Sequence, residues 1–173
     1  MSLMRLWGEG MKTKKISLYA LLIALALILS YLESLVPLSF AVPGIKMGLP
    51  NIVIVFALYK LGFKAAGCIS IIRVLLVSLL FGNVMVMIYS LAGAVLSLCL
   101  MWLLRKSGKF SSVGVSVVGA LGHNAGQVLT AMLLLETGGL IYYLPALCIS
   151  GTVAGICIGI LGGIIVKRIE IKK

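Results

Sequence analysis

The stretch GCISIIRVLLVSLLFGN, Gly67–Asn83, decides how the chain is read. It is apolar over most of the length a membrane-crossing helix needs, yet Arg73 stands inside it. A guanidinium does not lose its charge in a protein, and placing one near mid-bilayer costs ~2.5 kcal/mol or far more. The rest of the chain must answer that charge. The means are a carboxylate from another helix, polar side chains and backbone carbonyls, a water-filled cavity, or an anionic ligand.

Outward from that stretch the whole chain is of one kind. With 173 residues, 62% hydrophobic and 11% charged, and a mean hydropathy of +1.23, it is too apolar for a soluble domain and reads as an all-α integral membrane protein. Apolar runs recur at Ile16–Val36, Leu49–Leu61, Ala65–Leu80, Val84–Leu104, Val113–Leu135 and Leu140–Val166. They predict a bundle of six transmembrane helices. The second and third runs are short, which suits tilted helices buried in protein or one that fails to cross fully. Residues 1–15 read as an interfacial lead-in, 16–166 as a single membrane domain and 167–173 as a basic tail. The lead-in lacks the small-residue cleavage site of a signal peptide.

Charge sets the expected orientation. With both termini in the cytoplasm, the inner side collects 13 of the 15 basic residues, from Arg5, Lys12, Lys14 and Lys15 through Lys60, Lys64, Arg105, Lys106 and Lys109 to Lys167, Arg168, Lys172 and Lys173. Only Lys46 faces out and only Arg73 lies within the membrane, as the positive-inside rule requires. The formal charge of +11 therefore belongs to topology and anionic lipid headgroups, not to nucleic acid. The expected location is the plasma membrane, with multiple crossings.

The polar residues within the apolar runs are the candidate site. Glu33 lies near the outer end of the first run and can pair with Arg73 or line a cavity. Lys46 stands between Gly44 and Gly48 on the proline-rich segment PLSFAVPGIKMGLP, either solvated or touching an anionic ligand. Asn51 opens the second run, where it can cap the helix, and Asn83 tips the turn after the third. In GALGHNAGQ, Gly119–Gln127, the spacing of His123, Asn124 and Gln127 lets all three share one helical face. Small residues provide the packing: Ala20 and Ala24 on the first helix, Gly122 and Gly126 on the fifth, and Gly151, Gly155, Gly159 and Gly163 at strict four-residue spacing on the sixth. The fourth run, with Ser90, Gly93 and Ser97, offers packing positions and no site. Glu136 beside Thr137-Gly138-Gly139 reads as solvated, and Tyr142, Tyr143 and Trp102 as interfacial aromatics.

Several chemistries are missing. The sequence has no aspartate, so no Asp-rich magnesium site for diphosphates can be built. It has no P-loop, GxSxG, HExxH or CxxC. Cys68, Cys99, Cys148 and Cys157 all fall in apolar runs, as small buried hydrophobes do. No cofactor or metal is expected, and a binding or transport subunit fits better than an enzyme.

At PGIKMGLPNIV, RVLLVSLLFGN and GALGHNAGQ the sequence resembles the Gx transporter family, also catalogued as heptaprenyl diphosphate synthase component I, over roughly Lys14 to Ile165. That family looks like the substrate-binding S components of energy-coupling-factor transporters. The resemblance implies six membrane helices, a pocket near the outer face and a first external loop acting as a lid. It also implies docking of a membrane coupling subunit at Ala20 and Ala24, and ATPase subunits on separate chains. Pro50 before Asn51 departs from the small residue commoner there. The expectation is thus a monomeric S-component-like protein that binds a small anionic solute through Glu33, Asn51, Arg73, Asn83, His123, Asn124 and Gln127, with Lys46 on the lid. Two other readings stand beside it: a non-catalytic accessory to the catalytic subunit of a prenyl diphosphate synthase, and a structural component of a quinone- or redox-related assembly.

Overall fold

The computed structural model describes residues 3–35 and 48–169, with the side chains of the first helix from residue 13 onward. Among the described residues it is all helical: α1 (Leu3–Leu35), α2 (Asn51–Lys60), α3 (Phe63–Phe81), α4 (Val84–Ser107), α5 (Ser112–Leu134) and α6 (Leu144–Arg168), with a 3-10 turn at Gly138–Tyr143 before α6. The stretch read as a lead-in runs into the first span without a break, since α1 begins at Leu3.

Five of these helices are long and apolar enough to cross a membrane. Of the two short runs, Leu49–Leu61 is the one too short to cross: it forms the 10-residue α2, about 15 Å long and half the hydrocarbon thickness. Its bounds have local causes. Pro50 stands at the N-cap, and the left-handed backbone of Gly48 (φ 71°) and Gly62 (φ 95°) bends the chain at either end. The other helices start and stop on ordinary signals. The Asn83 side chain accepts from the Val86 N–H at 2.9 Å, Ser111 does the same for Gly114 at 3.3 Å, and Gly108 (φ 68°) ends α4.

The short helix is the centre of the bundle. Val53 to Leu58 are all buried, packed with Leu22 and Ala26 of α1, Ala66 and Ile69 of α3, Leu98 and Met101 of α4, Val115 of α5 and Ile158 of α6. A buried C-terminus leaves backbone carbonyls without partners. Arg105, from the end of α4, supplies them: its guanidinium donates to the Leu58 carbonyl and, at 3.0 Å, to that of Tyr59, with the Tyr59 ring 5.0 Å beneath it. Sequence reading placed Arg105 among the topology charges and missed this clamp.

Glycines bring α4, α5 and α6 together, as their spacing led one to expect. A methyl group on Gly126 would lie 2.8 Å from the Gly93 Cα, and one on Gly159 2.5 Å from the Val113 Cα. Such distances put backbone against backbone, where dispersion can hold helices together in lipid. Phe63 packs tilted against Trp102 with ring centroids 5.2 Å apart and Ser112 donates to the Gly159 carbonyl at 3.0 Å. These contacts gather the end of α2, the starts of α3 and α5 and the later turns of α4 and α6 at one end of the bundle, which carries Lys60, Lys64, Arg105, Lys106, Lys109, Lys167 and Arg168. Tyr31 meets Phe81 at 5.6 Å towards the opposite end.

Candidate functional site

Arg73 lies ten residues, ~15 Å, into α3. Its side chain is half-buried, and its Nε is buried without a hydrogen-bond partner. The charge that acts on it is the Glu33 carboxylate of α1. Glu33 in turn accepts the backbone N–H of Gly48, just ahead of α2, where the Asn51 amide lies 3.4 Å from the position a Gly48 Cβ would take. The structure therefore brings Glu33, Asn51 and Arg73 towards one region between α1, α2 and α3. Asn51 does not cap α2 as expected, because it is already the first helical residue and no side chain caps that end.

The polar trio of α5 divides between two neighbours rather than sharing a face. Asn124 turns to α6 and donates to the Leu147 carbonyl at 2.7 Å. His123 and Gln127 turn to α4: a methyl group on Gly93 would sit 3.3 Å from His123 Nδ1 and 2.8 Å from Gln127 Cγ. Adjacent helical residues point about 100° apart, so His123 and Asn124 cannot both face one partner when α5 is packed on two sides. Gln127 donates from Nε2 to Ser90 Oγ at 3.3 Å.

Beside that bond is a cavity of about 410 Å³ between α4, α5, the 3-10 turn and the start of α6. Among the described residues, Tyr89, Ser90, Gln127 and Tyr143 supply its polar groups, the remainder of the lining is apolar, and no charged side chain takes part. Of the seven expected binding residues that are described, only Gln127 lines it. Ser90 and Tyr89 went unnoticed in a helix that read as packing alone. The serine's place three residues before Gln127's neighbour Gly93 was not distinguishable from a small-residue strip.

The remaining expected residues lie elsewhere. Asn83 is exposed and caps α4. Lys46 lies outside the described residues. Ala20 and Ala24 are both on the outward face of α1, in line with Leu21, Leu25 and Ile28, which are also exposed. Among the described residues no three of His, Cys, Asp and Glu come together to hold a metal ion, and the four cysteines are free thiols, none of them buried as expected: Cys68, Cys99 and Cys157 lie on the outer faces of their helices and Cys148 is half-buried.

The family model for heptaprenyl diphosphate synthase component I matches residues 22–165. No curated protein and no solved structure matches the chain.

Proposed function

The chain belongs to the heptaprenyl diphosphate synthase component I family, and from that premise we propose that it is a membrane-embedded, non-catalytic binding subunit for a small anionic solute. The observation that carries this is the Arg73 Nε, buried and without a partner in the interior of a lipid-bound bundle. A protein that kept the cation only for structure would surround it with acceptors, because each unmet donor in a buried site costs about 1–3 kcal/mol. A carboxylate or phosphate oxygen supplies the missing acceptor. Glu33 keeps the region close to neutral until the solute arrives.

In this reading the basic end of the bundle faces the cytoplasm of the plasma membrane, by the positive-inside rule. The solute enters from the opposite side. A coupling subunit on the exposed Ala20–Ala24 face of α1 and separate ATPases would supply the energy that this chain, without a P-loop, cannot supply.

The family name supports a second reading, in which the chain is a membrane accessory to the catalytic subunit of a prenyl diphosphate synthase. The lack of aspartate speaks against its doing the chemistry itself. Native mass spectrometry of the affinity-purified protein separates the two. Uptake predicts a small anionic adduct that disappears in Arg73→Ala, together with ATPase partners. A copurifying soluble synthase and no adduct would overturn it in favour of the accessory.

A further inference from the structure

We propose that the cavity between α4, α5 and α6 is a second binding site, for an uncharged, mainly hydrocarbon molecule bearing one hydroxyl or carbonyl group. The inference goes beyond the solute assigned to Arg73, which does not line this cavity. Size comes first. At ~30 Å³ for each water-sized group, 410 Å³ holds about 14 non-hydrogen atoms, within the range of small-molecule pockets. Chemistry follows from the walls. Val128, Ala131, Leu140 and Leu147 offer hydrocarbon, and among the described residues no cation lines the cavity, so a phosphate or carboxylate would lose its water without compensation from them.

Gln127 gives the cavity its selectivity. One N–H of its amide is engaged by Ser90, leaving the carbonyl oxygen and the second N–H to meet a ligand. The amide can therefore accept from a hydroxyl or donate to a carbonyl. An empty hydrocarbon pocket would not need such a group, and an amide facing it unpaired is costly.

The test uses the full chain in lipid nanodiscs and a photoreactive diazirine analogue of farnesol, a neutral alcohol of about the required size. The expected result is labelling at α4 and α5 around Ser90 and Ala131, suppressed by excess farnesol but not by hexadecane or farnesyl diphosphate. Ala131→Phe, which fills the cavity, and Gln127→Leu, which removes the amide at similar volume, should each weaken labelling roughly tenfold. Arg73→Ala should leave it unchanged, so failure of the anionic site and failure of this one can be told apart. Competition by farnesyl diphosphate as strong as by farnesol would overturn the neutral assignment. Equal competition by hexadecane would reduce the cavity to a lodging for any acyl chain. Labelling that persists in a folded Ala131→Phe would place the ligand elsewhere, and if neither variant folds the competition series on the wild type still decides.

Discussion

Replacing Gly155 by alanine should cost far more than its one methyl group suggests. The added Cβ would lie 2.7 Å from the Val117 Cα, 3.1 Å from the Val117 nitrogen and 3.2 Å from the Ser116 carbonyl oxygen. All three are backbone atoms of α5, so no side chain can rotate out of the way. To bring the closest pair from 2.7 Å to an ordinary 3.4 Å, α5 and α6 must separate by about 0.7 Å. The Asn124–Leu147 hydrogen bond, now 2.7 Å, would stretch to the edge of its useful range. Overpacking of this kind costs ~1–3 kcal/mol and the weakened bond about 1 more. At roughly 2–4 °C per kcal/mol for a domain of this length, Tm should fall by about 4–16 °C.

Two glycines in the same protein serve as internal standards. At Gly163 the new methyl would meet chiefly the Ser112 hydroxyl, which can turn aside by giving up its bond to the Gly159 carbonyl, and Gly163→Ala should cost about 1 kcal/mol. At Gly138 nothing lies within 4 Å, and Gly138→Ala should change stability by no more than ~0.5 kcal/mol. Thermal melts of the three variants in the same detergent give the order. A Gly155→Ala protein that melts with the wild type, or a Gly138→Ala protein that loses as much, would refute the close contact of α5 and α6.

Removal of the α2 clamp by Arg105→Ala should lower stability by about 2–3 kcal/mol, read as a Tm shift, with Arg105→Lys recovering only part because one ammonium cannot reproduce a guanidinium that serves two carbonyls. Glu136 holds a left-handed backbone (φ 49°) just past α5, where Thr137 donates to the Met132 carbonyl at 3.3 Å. Glu136→Gly should raise stability by ~1 kcal/mol, and a fall in Tm would count against that geometry. Asn83→Ala should cost about 1 kcal/mol through loss of the α4 cap without weakening any solute binding, whereas a binding defect would return Asn83 to the site.

Much of the architecture can be read from residue spacing. Glycines four apart on α6 have one economical use in lipid, and they make the contacts that spacing implies. The half-length of α2 was partly legible: the run Leu49–Leu61 is short enough that a helix failing to cross stood among the expectations, but its apolar composition alone did not choose between that and a tilted span. The Arg105 clamp was hidden for a different reason. A basic residue at the end of a membrane helix is already accounted for by topology, and only the position of another helix's carbonyls gives it further work. For the site, Arg73 announced itself by its energetic cost, while Ser90 and Tyr89 carried no signal until α5 brought Gln127 opposite them. The one-face reading of His123, Asn124 and Gln127 failed because each residue was within reach of a common face in an isolated helix, whereas α5 has a neighbour on both sides.

The central claim, that position 73 belongs to a wet chamber inside the bundle, is tested most directly by its chemistry towards water-borne reagents. With Cys68, Cys99, Cys148 and Cys157 replaced by serine or alanine, Arg73→Cys in sealed vesicles is exposed to a charged, membrane-impermeant methanethiosulfonate. The account predicts modification from the side opposite the basic end and protection from the other. A thiol that reacts only with a membrane-soluble maleimide, from either side alike, would contradict it.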